Sequence, residues 1–261
     1  MAEKQAASVE TNSVETLEDP GPPSESTVSF RDAETLKEHS IDWSLATGDL
    51  LGRAEPWRTF RWYRNQRHYS GTYWSSTNQG HVIYESRLEL ARLLLADFDP
   101  TVTWIVAQPF LLKSVVNRRQ RSHIPDFLLI TNGVPAVLDV KPPWQLEKPK
   151  VKFTLDWTRQ LVDPRGWRYE VWSAPDAVEL QNVRFLAGNR NPRLFDPALL
   201  DELREMQLEG STLGEAFDTA ASRPPALVRA AVLHMIWNSE LAVNLSTNLT
   251  RSTILEKGQK K

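Results

Sequence analysis

The chain has 261 residues, of which 41% are hydrophobic and ten are Trp, so it is long and apolar enough for one large domain or two small ones. It contains no Cys, which excludes disulfide bonds and thiolate metal sites. No apolar run approaches the roughly 18 to 20 residues that a membrane span requires, so we expect no membrane partner and a cytoplasmic protein.

Charge is distributed unevenly along the chain. Residues 1–50 contain 11 acidic and 3 basic side chains, whereas residues 51–261 contain 22 acidic and 28 basic ones. An acidic arm ahead of a basic body is compatible with a nucleic-acid enzyme, although many unrelated proteins share this pattern.

The first 80 residues divide into an arm and an extension. Residues 1–28 lack hydrophobic periodicity and contain the breaker sequence Asp19-Pro-Gly-Pro-Pro, which predicts a disordered acidic arm. Residues 29–80 form an N-terminal extension, with a short helix expected between residues 29 and 50. Within the extension, arginines separated by aromatic residues recur at every third position, at Arg58, Arg61, Arg64 and Arg67. This arginine ladder suits phosphate contacts and, equally, an amphipathic surface segment whose rings enter the core.

Residues 81–190 have the pattern of an α/β domain. Apolar residues at helical spacing predict a helix from Ser86 to about Asp97 and another from Lys150 to about Leu161. Short apolar, β-branched-rich runs predict five strands, at Val102–Ala107, Leu111–Val116, Phe127–Thr131, Ala136–Val140 and Trp167–Ser173. This order predicts a mixed sheet flanked by helices.

The strand pattern ends before residues 191–261. Three helices and a β-hairpin are predicted there, at Leu199–Met206, Leu213–Ala220, Ala226–Asn238 and Leu241–Leu255. Such a set describes a winged-helix-like domain. Its third helix carries only Arg229 and His234 as basic residues and its hairpin only Arg251, which favours contact with protein over reading of DNA bases.

The most specific feature is Pro125-Asp126 followed by Asp139-Val140-Lys141. Asp139 and Lys141 lie two apart on a predicted strand and therefore face the same side, and a tight hairpin at Asn132-Gly133 brings Asp126 beside them. The carboxylates and the Val140 carbonyl can hold Mg²⁺, while Lys141 can orient or deprotonate an attacking water and stabilise transition-state charge. Such pairs are also common at solvated strand edges. Here the flanking strands are apolar, and charges at the ends of buried elements are costly unless they are paired or metal-bound.

Five motifs occur in order over roughly residues 60–175: Ser86-Arg-Leu-Glu89-Leu-Ala, Asp97-Phe-Asp-Pro, Gln108-Pro-Phe-Leu-Leu, Pro125-Asp126-Phe-Leu and Asp139-Val-Lys141-Pro. In order and spacing, the chain resembles the TnsA-like endonuclease subunit of heteromeric transposases. That family belongs to the PD-(D/E)xK nuclease class. The resemblance implies a restriction-endonuclease-like core followed by a winged-helix-like domain.

The resemblance also implies roles for single residues. The metal ligands are Glu89, Asp126, Asp139 and the carbonyl of Val140, for one or two Mg²⁺ ions that Mn²⁺ can replace. Lys141 is the catalytic lysine, and Gln108 orients the ligand shell.

Two assignments near the site have alternatives. Glu85 competes with Glu89, because residues four apart on one helix face cannot be separated by geometry. The Leu-Glu-Leu-Ala context favours Glu89 and leaves Glu85 as a first-turn acid near the helix dipole. His123 is either a phosphate contact or a solvated loop residue.

By the same resemblance, the protein cuts the 5′ strand at transposon ends in the bacterial cytosol. A DDE-class transposase partner cuts the 3′ strands, and the C-terminal domain contacts that machinery, including a regulatory AAA+ ATPase. Two alternatives stand beside this expectation. One is a stand-alone restriction or repair nuclease of the same fold, and the other is a non-enzymatic winged-helix DNA-binding or adaptor protein.

Overall fold

The computed structural model describes residues 19–57 and 69–259. The arginine ladder of residues 58–67 and most of the predicted acidic arm lie outside the described residues. The strands in the described part are β1 (Ser24–Asp32), β2 (Glu38–Asp42), β3 (Ala54–Glu55), β4 (Gly71–Ser75), β5 (Gly80–Tyr84), β6 (Val102–Ala107), β7 (Leu111–Val116), β8 (Arg119–His123), β9 (Phe127–Thr131), β10 (Val134–Val140), β11 (Arg168–Trp172), β12 (Leu241–Ala242) and β13 (Glu256–Lys257). The α-helices are α1 (Gly48–Gly52), α2 (Arg87–Phe98), α3 (Pro143–Leu146), α4 (Pro149–Val162), α5 (Ala177–Leu186), α6 (Pro197–Glu205), α7 (Leu213–Asp218) and α8 (Pro225–Trp237).

Two larger sheets form the centre of the α/β fold. The mixed sheet has the order β11-β10-β9-β6, in which only β10 and β11 run parallel. The second sheet is antiparallel, in the order β2-β1-β7-β8, with β3 also pairing with β1. A mixed sheet flanked by helices is therefore present, and the five predicted strands and two helices lie within a few residues of their expected bounds. One of those strands, Leu111–Val116, belongs to the antiparallel sheet instead, where it pairs with β1 and β8.

The mixed sheet is buried on both faces. One face packs against the antiparallel sheet and α4 in a cluster that includes Leu112, Leu128 and Trp157. The other face packs against α2, α5 and the C-terminal helices in a cluster that includes Leu93 and Ile236. Burial on both faces explains why the central strands are nearly continuous apolar runs.

The N-terminal segment differs from the sequence expectation. Residues 24–28, assigned to the disordered arm, belong to β1, and residues 29–50 form mainly strands, with α1 only beginning at Gly48. β1 pairs with β7 through Val28 and Leu112, some 80 residues apart in sequence. This burial of Val28 and Phe30 orders the segment, and such a distant pairing leaves no local signal.

The C-terminal region contains the three predicted helices but a much smaller hairpin. Only Leu241–Ala242 and Glu256–Lys257 pair, so the predicted strand alternation over Leu241–Leu255 is wrong. Buried residues of α6, α7 and α8 belong to the same cluster as α2 and the mixed sheet, so one continuous core joins the two regions. No helix in the described part of the chain combines the length and apolar character that crossing a bilayer requires.

Candidate active site

A tight turn places the two aspartates side by side. Asn132 and Gly133, which join β9 to β10, have φ of 50° and 78°, the left-handed conformations that a type I′ hairpin needs. The hairpin register pairs Phe127 with Leu138, and the Asp126 amide donates to the Leu138 carbonyl at 3.0 Å. Asp126 and Asp139 therefore meet at the end of the hairpin, as predicted.

Lys141 joins these two carboxylates. Its Nζ lies 2.7 Å from Asp126 Oδ2 and 3.3 Å from Asp139 Oδ1. Burial lowers the pKa of Lys141, but the two carboxylates outweigh that effect and hold its pKa above the ordinary value. Burial is also the main cause that raises the pKa of Asp126, and the Lys141 charge opposes it. The lysine is therefore a cation at neutral pH.

Asp139 is fully buried and has three side-chain partners. His123 Nε2 lies 2.9 and 2.8 Å from its two oxygens, and Tyr169 Oη donates to Oδ2 at 2.6 Å. Burial raises the pKa of Asp139, but His123, Lys141 and Tyr169 together lower it to about 2. The Asp139 side chain is thus an anion enclosed by protein groups.

Glu89 is buried at the N-terminus of α2. Ser86 is the N-cap, whose Oγ accepts from the Glu89 amide at 3.1 Å, and the Glu89 carboxylate accepts from Ser86 Oγ at 2.9 Å and from the Glu85 amide at 2.8 Å. Burial first, and then the charge of Asp126, raise the pKa of Glu89 to about 7. Burial of the carboxyl group is thus the larger cause of the raised pKa, and the negative charge of Asp126 adds to it.

Glu85 does not share a helix face with Glu89, because it precedes the N-cap and lies outside α2. Its Oε1 accepts from Gln108 Nε2 at 2.7 Å. Gln108 is buried with φ of 45°, and its amide donates to the Asp126 carbonyl at 2.9 Å. Gln108 therefore connects Glu85 to the strand that carries Asp126, and helix position now separates the two glutamates.

A cavity of about 540 Å³ collects most of these groups. Its polar lining consists mainly of Glu85, Glu89, His123, Asp126 and Lys141, and Val140 also lines it. Asp139 and Gln108 lie behind the cavity wall and do not line it. His123 ends β8 and is half-buried against Asp139, so it is not a solvated loop residue.

The cavity contains oxygen donors that suit a divalent cation. Among the described residues no group of three or more His, Cys, Asp or Glu side chains is arranged to hold a metal ion, and Asp139 does not line the cavity. Asp126 Oδ1, however, accepts no hydrogen bond from the described part of the chain, and Glu89 and Val140 share its cavity. Carboxylate and carbonyl oxygens are the donors that Mg²⁺ prefers, so these three residues fit the ion chemically.

β8 and Tyr169 are the parts of the site that sequence patterns did not indicate. Arg119, Arg121 and His123 alternate along β8 and share one face, and residues 100–125 contain no acidic side chain. The Arg121 guanidinium lies 5.0 Å above the ring of Phe153 in α4. The stretch of basic residues without acidic ones could have indicated β8 in the sequence. Nothing local indicates Tyr169, because it comes close to Asp139 only when β11 pairs with β10.

Three basic residues of the predicted third helix and hairpin make contacts within the protein. His234 is buried, with Nδ1 2.6 Å from the Asn189 carbonyl and its ring stacked on Phe195. Arg229 lies over the ring of Phe217, and Arg251 pairs with Asp218. Arg193 and Lys257 of the same region are exposed.

Comparison of the sequence with known protein families and with characterised proteins finds no match. The functional interpretation therefore depends on the cavity. A cation, two carboxylates and a carbonyl at one opening can bind and polarise an anionic ester.

Proposed function

We propose that the chain is a Mg²⁺-dependent DNA endonuclease and acts as the nuclease subunit of a heteromeric transposase. One observation carries this proposal: Glu89, Asp126 and the Lys141 ammonium converge on one cavity at the ends of buried strands. Buried charges of this kind are costly to keep without a function or a partner. At an ordinary solvated strand edge, in contrast, no carboxylate from a helix would face the same cavity as the strand residues.

The ion would be held by Asp126, Glu89 and the Val140 carbonyl. The family resemblance assigns Asp139 to the same ion. When bound, a divalent cation supplies Lewis-acid polarisation of the phosphodiester and shields its charge.

Lys141 would act as a cation and not as a general base. Because Asp126 and Asp139 hold its pKa above the ordinary value, its ammonium keeps its protons at neutral pH. Its three N–H groups face Asp126 Oδ2, Asp139 Oδ1 and the Val140 carbonyl, so it can act through its positive charge and stabilise negative charge that develops on a phosphate oxygen in the cavity. Glu89, with a pKa raised to about 7, can exchange a proton in the same pH range.

The transposase context comes from the resemblance and is supported by the C-terminal region. There, Arg229, His234 and Arg251 are occupied by contacts within the chain. A winged-helix-like domain with few available cations suits a protein partner, namely the DDE-class transposase or an AAA+ ATPase, better than it suits base readout. The chain would then cut the 5′ strand at the transposon ends.

Nicking of end-containing duplex DNA tests the proposal. With Mg²⁺ and the partner transposase, the wild type should nick the 5′ strand, Lys141→Met should not, and the exposed-lysine control Lys257→Met should match the wild type. Efficient cutting of short palindromes without the partner would favour a restriction or repair nuclease. DNA binding without cutting under every condition would favour an adaptor protein.

A further inference from the structure

The buried carboxylate of Asp139 is surrounded by protein groups. Oδ1 is approached by His123 Nε2 and Lys141 Nζ, at 2.9 and 3.3 Å. Oδ2 is approached by the same His123 Nε2 and by Tyr169 Oη, at 2.8 and 2.6 Å. Three side chains therefore contact both of its oxygens, and its side chain is fully buried and does not line the cavity.

Asp126 differs from Asp139 in both accessibility and bonding. Its side chain is 18% exposed and lines the cavity, whereas that of Asp139 is 0% exposed and does not. Both hydrogen bonds to Asp126, from the Val140 amide and from Lys141 Nζ, go to Oδ2, at 2.6 and 2.7 Å. Among the described residues nothing donates to Oδ1, so this oxygen is open toward the cavity.

We propose that Asp139 is a buried anchor for Lys141, held in place by Tyr169 and His123, and that the divalent ion is bound without it. This inference rests on the proposed nuclease function and changes the role that the family resemblance assigns to Asp139. Asp139, Tyr169 and His123 are then positioning residues, and the ion is left to Asp126, Glu89 and Val140.

An anchor would fix the position of the Lys141 ammonium, which the flexible lysine side chain does not fix by itself. Four rotatable bonds would let Nζ leave the site, and one acceptor at Asp126 does not fix its direction. Asp139 Oδ1 and the Val140 carbonyl, each 3.3 Å from Nζ, supply the further acceptors that fix it, and Asp139 is the one that carries a charge. Arg159 contacts Tyr169 in turn. Its guanidinium donates to the Tyr169 backbone carbonyl at 3.2 Å and lies 4.9 Å from the centre of the Tyr169 ring.

Binding of Mn²⁺ to the full chain without DNA, followed by electron paramagnetic resonance, tests the ion's ligands. Asp126→Asn should weaken Mn²⁺ binding by about tenfold or more. Asp139→Asn and Tyr169→Phe should leave the affinity within about threefold of the wild type. An Asp139→Asn variant that loses Mn²⁺ as fully as Asp126→Asn overturns the inference.

Protection of Lys141 from reductive methylation, measured by mass spectrometry in EDTA, tests the anchor without any metal. Tyr169→Phe should raise the methylation rate of Lys141 by about fivefold, the change expected from loss of one hydrogen bond. Tyr73→Phe is the matched control, because Tyr73 Oη donates to the buried Asp97 at 2.7 Å far from the cavity. It should leave Lys141 unchanged, and thermal unfolding should show all variants folded.

The two measurements separate the possible failures. If the wild type neither binds Mn²⁺ nor nicks DNA, the nuclease proposal fails, and the methylation result alone decides the anchor. Equal Lys141 protection in the wild type and in Tyr169→Phe overturns the anchor even in an active nuclease. In an active enzyme, Tyr169→Phe should lower kcat and leave KM for DNA unchanged. An unchanged kcat would also count against the anchor.

Discussion

Lys141 Nζ and Asp126 Oδ2 lie 2.7 Å apart at the mouth of the cavity, the shortest contact that Lys141 makes there. The pair connects the end of β10 to the start of β9, and the Val140 amide donates to the same Asp126 oxygen at 2.6 Å. The Lys141–Asp126 ion pair and the backbone hydrogen bond from Val140 therefore share one carboxylate oxygen. A change in either residue should affect chemistry and stability together.

Replacing Lys141 with Met should abolish nicking while DNA binding persists. General acid–base or electrostatic groups of this kind contribute about 10²- to 10⁴-fold to rate, so a loss in that range is expected. The variant should also unfold more easily, by about 1–3 kcal/mol, because two partly or fully buried carboxylates lose their cation. Single-turnover nicking and urea unfolding measure the two effects. Nicking above one tenth of the wild-type rate would contradict the proposed role.

The two glutamates should differ in function. Both line the cavity, but Glu89 is fixed in the first turn of α2, whereas Glu85 lies outside the helix and accepts from Gln108, so Glu89→Gln should lose nicking and Glu85→Gln should keep most of it. The amide substitution preserves the size of each side chain and limits damage to the helix cap. Parallel measurements of nicking and Mn²⁺ affinity decide the assignment. The opposite ranking would transfer the role to Glu85.

Stability should depend on pH through Glu89. Its pKa is raised from 4.5 to about 7, so the folded state holds this proton to a higher pH than the unfolded state does. The resulting stabilisation is complete below about pH 4.5 and is lost as pH rises through 7, at most about 3 kcal/mol. Urea unfolding in EDTA between pH 5 and 8 should show this decline in the wild type. The difference in unfolding free energy between the wild type and Glu89→Gln should change across the same pH range. A difference that stays constant would contradict the raised pKa of Glu89.

The arginine ladder lies outside the described residues, and its role stays a prediction. If it contacts phosphates, neutralising Arg61, Arg64 and Arg67 together should reduce the salt dependence of DNA binding, by about two to three in the logarithmic slope. A matched control neutralises three exposed arginines elsewhere: Arg168, Arg184 and Arg193. If the ladder variant loses its fold while the slope of the control is unchanged, the alternative holds, in which the ladder is an amphipathic surface segment whose aromatic rings enter the core.

The C-terminal helices should be needed for the α/β region of residues 81–190 to fold. Trp237 of α8 is 1% exposed, packs edge-on against Phe98 of α2 with ring centroids 5.3 Å apart, and donates to Ser76 Oγ at 2.7 Å. Trp237→Ala should cost about 3–5 kcal/mol, whereas Trp144→Ala, at a 61% exposed position, should change stability by less than about 0.5 kcal/mol. A chain ending at residue 190 should not unfold cooperatively. A stable, cooperative fragment would instead show two independent domains.

Much of the β9–β10 hairpin could be predicted because its signals are local. The Asn132-Gly133 pair requires left-handed backbone conformations, and strand periodicity puts Asp139 and Lys141 on one face. The same reasoning failed for Leu241–Leu255, where alternation of polar and apolar residues did not produce long strands. Alternation indicates a strand only when a neighbouring strand is available to accept its hydrogen bonds.

The sequence by itself determined most of the order of helices and strands from residue 86 to 172, without β8 and α3, and the meeting of Asp126, Asp139 and Lys141. Those features depend on periodicity, a turn and a helix cap, each encoded within a few residues. Tertiary structure decided that Asp139 turns toward His123 and Tyr169, and that Glu89 but not Glu85 lies within the helix. Contacts between strands that are distant in the sequence leave no periodic trace, so they become visible only when the sheets are assembled.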